Sequence, residues 1–186
     1  SSDDAERPDA QIHFTPAAGE PDEKGRINPL PGTTATVCYL RPTSRGSVHL
    51  RARNPETHPI IRANYLNTDN DIEKTIAVVQ KTREIFRAPS LKKYYRGELQ
   101  PGPEADTDEK VLEHIKRVAE SVYHPVGTCK MGKDDMAVVD DRLRVRGLEN
   151  VRVADGSIMP TILSGNTNAT CVLIGERCAD FILNKE

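Results

Sequence analysis

Tyr123-His124-Pro125-Val126-Gly127-Thr128-Cys129-Lys130-Met131-Gly132 is the stretch on which the reading of the fold turns. Helical periodicity stops here. Pro125 fixes its own φ and pushes His124 out of the helical region. Gly127 and Gly132 permit close approach of a ligand or another backbone. A loop held between rigid elements is where catalytic groups tend to sit. An imidazole fixed there can take a proton near neutral pH. A structural histidine bonded to a carbonyl fits the same residues equally well.

Upstream, the pattern is regular. Ile12 and Phe14 alternate as a strand, and the Pro-, Gly- and charge-rich remainder of residues 1–35 reads as loop. Residues 36–40 and 47–51 read as strands of an antiparallel sheet, with an extended segment at 59–66. The spacing predicts a helix over 71–87 with Ile72, Ile76, Val79 and Phe86 on one face and Asp71 as its cap. Lys81, Arg83 and Arg87 suit the negative end of its dipole. A second helix is expected over 108–122, capped by Thr107 or Asp108, with Val111, Ile115, Val118 and Val122 as its stripe.

Downstream, residues 137–140, 143–145 and 151–154 read as short strands. The last runs into Asp155-Gly156-Ser157, where a carboxylate and backbone N–H groups can meet a sugar-like hydroxyl or simply form a turn. Ser164-Gly165-Asn166-Thr167-Asn168-Ala169-Thr170 precedes an apolar helix expected over 168–183. Its residues suit helix capping, and a helix start also favours an anion. Cys171, Ile174, Gly175, Cys178 and Ile182 are expected on that helix's buried face.

Composition excludes several classes. The formal charge is −2, with Lys and Arg dispersed, so nothing favours nucleic acid or an anionic membrane surface. No apolar run reaches transmembrane length. Aromatics are 4% with no Trp, so the core must be aliphatic. Cys38, Cys129, Cys171 and Cys178 form no metal spacing and read as free thiols of a reducing, intracellular setting. The localisation this implies is cytoplasmic or peripheral to a membrane. His13, His49, His58 and His114 likewise show no metal spacing. A Cys129–His124 nucleophilic pair lacks an orienting third group, and a structural thiol is the simpler reading.

Together these blocks resemble the glucose-methanol-choline (GMC) oxidoreductase family of flavoproteins. The resemblance is carried by 123–132, Val138-Val139-Asp140, Leu143-Arg144-Val145 with Gly147-Leu148, residues 151–161, Gly165-Asn166-Thr167-Asn168-Ala169 and Ile174-Gly175-Glu176-Arg177. Leu40-Arg41-Pro42-Thr43-Ser44-Arg45-Gly46 and Asn64-Tyr65-Leu66 extend it, so it runs from about residue 10 to the end.

The resemblance implies His124 as the catalytic base over a flavin ring and Asn168 as its catalytic partner, with Asn166 competing for that role. Asn168 lies 44 positions after His124, as suits choline-oxidising members. It implies FAD as cofactor, contacted by Asp155, Gly156, Asn168, Ala169 and Thr170. Val126 and Asn166 are implied to line the substrate site.

The implied fold is α+β: an antiparallel sheet with flanking helices forming the substrate-binding domain, plus the last strand and helix of the FAD-binding domain. The expected divisions are 1–35, a first strand and loop region; 36–136, the substrate-binding domain; and 137–186, the catalytic-loop continuation and FAD-binding part. The family's glycine-rich GxGxxG dinucleotide motif is absent from the sequence. The chain is therefore expected to be the C-terminal part of an alcohol oxidoreductase, inactive alone, whose partners are an alcohol substrate and a missing N-terminal FAD-binding segment, on the same or a separate chain. A hydroxynitrile-lyase-like enzyme with structural FAD, and a non-catalytic fragment, are the alternatives.

Overall fold

The computed structural model describes residues 7–21, 24 and 26–184. They divide into two compact units: residues up to Leu40 with Thr68–Ala119, and Arg41–Asn67 with the residues from Glu120 onward.

In the first unit, β1 (Ala10–Thr15) pairs antiparallel with β4 (Thr34–Tyr39), and Ile12 faces Val37. Between them, β2 (Ala18–Pro21) and β3 (Ile27–Leu30) form a hairpin where loop was expected. Gly19 and Pro29 argue against a central strand but are tolerated in a two-stranded ribbon, which is all edge. Helix α1 (Asp69–Arg87) packs on β4, and Phe86 meets Phe14 and Tyr95 at ring-centroid distances of 6.4 and 6.5 Å. Its cap is Thr68, whose hydroxyl accepts from the Asp71 N–H; Asp71, expected to cap, is buried inside the first turn. The buried positions of α1 are Asp71, Ile76, Val78 and Thr82, a face rotated slightly from the expected one. Arg83, read from sequence as a dipole partner, is instead a hub. Its Nε donates to both Glu98 oxygens at 3.0 and 3.2 Å, and Nη1 donates to the Ala105 carbonyl at 2.9 Å. That fastens the 97–107 loop to the helix.

After the short helix α2 (Pro89–Lys92), α3 (Asp108–Val118) is capped by Thr107, as one of the two expected caps. It stops earlier than expected because Ala119 turns extended. Val111 and Ile115 are buried, whereas Val118 and Val122 are exposed, so burial does not support the rest of the stripe.

In the second unit, β5 (Ser47–His49) pairs with β6 (Ile60–Arg62). A Cβ at Gly46 would collide with the carbonyls of Arg62 and Ala63, so only glycine allows this approach. The described strands thus form three separate two-stranded antiparallel ladders, not one sheet. The strands expected after residue 136 are reduced to isolated bridges, Met131–Val139, Val139–Val145 and Arg144–Arg152. Left-handed backbone at Leu143 and Asn150 breaks any longer ladder.

The final helix α4 (Asn168–Leu183) has the expected bounds. Its Ile174, Cys178 and Phe181 close a core with Val139, Leu143, Ile158 and Met159. Arg142 and Arg177 lie over the Phe181 ring at 5.1 and 5.0 Å. Gly175 and Ile182, expected to be buried, are exposed. At 100° per residue both fall beside the buried stripe, while Phe181 falls within it. The four cysteines are free, and Cys178 is buried. Among the described residues no helix is long and apolar enough to cross a membrane.

Candidate active site

The histidine stretch is stitched to the segment after residue 154. The Cys129 N–H donates to the Ser157 carbonyl at 3.0 Å, and the Met131 N–H to the Ile158 carbonyl at 2.7 Å. Gly127 adopts φ +91°, and a Cβ there would lie 3.3 Å from the Met159 carbonyl oxygen, so glycine permits this seam. A Cβ on Gly156 would lie 3.3 Å from Cys171 Sγ and 3.9 Å from Val126 Cγ1. The histidine stretch, the Asp155-Gly156 turn and the first turn of α4 therefore meet at one place.

The residue before the histidine, Tyr123, is left-handed at φ +61° and exposed. Holding a non-glycine residue there costs on the order of 1 kcal/mol. This backbone aims the half-buried His124 ring at the segment before α4. Nδ1 lies 3.0 Å from the Thr167 hydroxyl. Nε2 lies 3.0 Å from the Asn166 side-chain nitrogen. An amide nitrogen only donates, so Nε2 is the acceptor. A neutral ring accepting at Nε2 carries its proton on Nδ1. The Nε2 lone pair faces the exposed Asn166 side chain.

Asn168 and Ala169 are the exposed first residues of α4, followed by half-buried Thr170. No side chain caps this helix, in contrast to α1 and α3. Its leading N–H groups and dipole suit an anionic or carbonyl-bearing group. Asp155 is exposed and caps a 3₁₀ turn, Gly156–Ile158, its Oδ1 accepting from the Ser157 N–H at 2.7 Å. Val126, expected to line a substrate site, is partly buried and packs against the core. Of the residues proposed from sequence, Asn166 is the one whose side chain touches His124; Asn168 starts the helix two residues on.

Two residues of this site were not singled out by sequence. Thr167 reads as an ordinary cap, and only the structure shows its hydroxyl on the histidine. Arg41 reads as a surface residue flanking a turn. Its guanidinium donates to the Ser164 hydroxyl at 2.6 Å, tying down the loop that carries Asn166. A contact spanning 123 positions leaves no local signal.

Comparison with known proteins identifies the family. The GMC oxidoreductase family model matches residues 42–175. The alcohol dehydrogenase [acceptor] of Pseudomonas putida is 44% identical over 185 residues, covering 100% of this chain and 33% of that protein. An oxygen-dependent choline dehydrogenase of Escherichia coli O127:H6 is 44% identical over 179 residues, covering 96% and 32%. The chain thus spans about a third of the length of the curated relatives it matches. Among solved structures, pyridoxine 4-oxidase from Mesorbium loti superposes with a TM-score of 0.82 at 30% identity, over 94% of this chain and 34% of that one. A formate oxidase variant of Aspergillus oryzae RIB40 gives 0.84 at 26% identity, over 97% and 32%. With the family model and these relatives in agreement, the chain belongs to the GMC oxidoreductase family.

Proposed function

We propose that this chain is the C-terminal part of an FAD-dependent alcohol oxidoreductase that converts a primary alcohol, choline-like, aliphatic or aromatic, to its aldehyde. The observation that carries the reading is the bracketed His124 ring, with Nε2 left as acceptor beside the uncapped start of α4.

The residues fit a flavin. The Asp155-Gly156 turn and the head of α4 meet at one place, offering a carboxylate for ribityl hydroxyls and N–H donors for a pyrimidine edge. Asp155, Gly156, Asn168, Ala169 and Thr170 would hold it. When bound, the flavin supplies the hydride acceptor for the alcohol carbon. His124 takes the hydroxyl proton at Nε2. Asn168 donates to the oxygen as negative charge develops, with Asn166 the competing donor. Val126 supports the floor beneath the histidine, and Asn166 meets the substrate's polar end. The positive end of α4 would favour negative charge on a group held at its head.

The rest of the protein would pack on α4. Val172, Ile182 and Leu183 are exposed, and they share one strip with Gly175 and Ala179, which are exposed too. That strip adjoins the buried stripe of Ile174, Cys178 and Phe181, so most of the helix circumference is apolar. Such a helix belongs in an interior. We read the strip as the contact for the N-terminal FAD-binding segment, consistent with a chain that spans a third of its relatives.

The test uses the complete gene product, loaded with flavin and mixed anaerobically with primary alcohols. Bleaching of the flavin absorbance is expected. His124→Ala should slow it by about 10²–10⁴-fold while flavin stays bound. A protein that holds flavin but is bleached by no alcohol would overturn the oxidoreductase reading and favour a lyase. Equal bleaching rates in variant and parent would remove His124 as the base.

A further inference from the structure

We propose that Thr167 is a positioning residue for His124: its hydroxyl, diverted from capping α4, holds the ring in the Nδ1–H form and leaves Nε2 as the proton acceptor. This rests on the reading of His124 as the base.

The argument begins with the other two long helices that start on a threonine. Thr68 before α1 (φ −122°, ψ 147°) and Thr107 before α3 (φ −114°, ψ 159°) are extended, and each hydroxyl accepts from the N–H three residues on. That is how an N-cap threonine ordinarily works. Thr167 sits at the same place before α4 with φ −88° and ψ −12°. Helical backbone there turns its hydroxyl away from the helix N–H groups, and it makes no cap bond. A cap of this kind is worth about 1 kcal/mol. α4 forgoes it, and the hydroxyl lies on His124 Nδ1 instead.

Burial makes this contact selective. Thr167 is 8% exposed, so water competes poorly for Nδ1, whereas Asn166 on the opposite side is exposed. Either partner alone is ambivalent, since an amide can turn over and a hydroxyl can donate. With the amide nitrogen toward Nε2, the pair admits one neutral tautomer. Removing the hydroxyl leaves a partly buried N–H without its acceptor, which is costlier than an unmet lone pair. The ring should then move its proton to Nε2, with Asn166 turned to receive it. In that form Nε2 cannot take a substrate proton.

The experiment is ¹⁵N NMR of histidine-labelled protein at about pH 9, above the ordinary imidazole range. It compares parent, Thr167→Val and Thr167→Ser in the complete gene product. Parent and Thr167→Ser should show Nδ1–H; Thr167→Val, nearly the same size, should shift toward Nε2–H. In the complete protein, Thr167→Val should lower the limiting rate of flavin reduction at least about 10-fold with little change in KM, and Thr167→Ser should restore it. Should Thr167→Val fail to fold, a Thr167→Ser signal at Nδ1–H with parent kinetics supports the role, and loss of either overturns it. An unchanged ring signal in folded Thr167→Val overturns the proposal and leaves His124's role as base untouched. A harmless His124→Ala would instead sink the reading of the base, while the ring signal still decides where Thr167 holds the proton.

Discussion

The two units solve the same local problems differently. In the first, threonines cap the helices they precede, and Arg83 and Glu98 fasten a loop through one Nε–H shared between both carboxylate oxygens. In the second, the threonine before α4 serves a histidine, and beyond residue 130 pairing shrinks to single bridges. Among the described residues, all five non-glycine residues at positive φ, Asn64, Leu66, Tyr123, Leu143 and Asn150, lie in the second unit. Locally consistent sequence builds the first unit, whereas the second holds less favourable backbone in place, at Tyr123 directly before its histidine. Such departures cluster where a site must be shaped.

The largest expected effect separates the units. Arg83 and Glu98 side chains are only 10% and 16% exposed. Glu98→Ala would leave a mostly buried guanidinium without its carboxylate and should cost about 3 kcal/mol. Hydrogen exchange should show the loss in α1 and the 97–107 loop, while the His124 ring signals stay put. A change at His124 of equal size would mean that the units do not respond separately.

A smaller effect tests the threonines against one another. Thr107→Ala should open the first turn of α3 by about 1 kcal/mol, read as faster amide exchange there. Thr167→Ala should leave exchange in the first turn of α4 nearly unchanged, because no cap is lost. Equal losses in the two helices would show that Thr167 acts as a cap after all.

The same contrast explains what could be read from sequence. α1, α3 and α4 are legible because apolar residues recur at helical spacing over many positions, behind a threonine cap in α1 and α3. His124, Asp155 and Asn168 are proposed through the family's wording. Thr167 is not, since capping and histidine-holding require the same residue at the same place and differ mainly in ψ. The β2–β3 hairpin is missed because prolines and glycines read as loop, although an isolated ribbon tolerates them. Val122 shows the converse: helical spacing persists where no core faces it, so the helix ends first. Gly175 and Ile182 match a buried pattern, yet the described residues do not bury them.

The smallest effect concerns the turn that closes the core beneath the site. Asp140 Oδ1 accepts from the N–H groups of Arg142 and Arg144 at 2.9 Å each, and Oδ2 accepts from Arg144 Nε at 2.8 Å. Burial pushes this carboxyl up, but the Arg144 N–H, its guanidinium and the Arg142 N–H outweigh it and hold the group below the ordinary carboxylate range. A native value below the unfolded one stabilises the fold fully above the ordinary Asp range, about pH 3.9, and the stabilisation is lost as pH falls through the native value. Asp140→Asn keeps a carbonyl acceptor but no charge, so it should cost about 0.5–1 kcal/mol at pH 7. The gap between variant and parent should narrow as the parent's carboxyl gains its proton below about pH 4. Urea midpoints at pH 7 and pH 3 measure this. A gap of the same size at both would mean that shape, not charge, holds the turn, and that the second unit tolerates its left-handed Leu143 without electrostatic help.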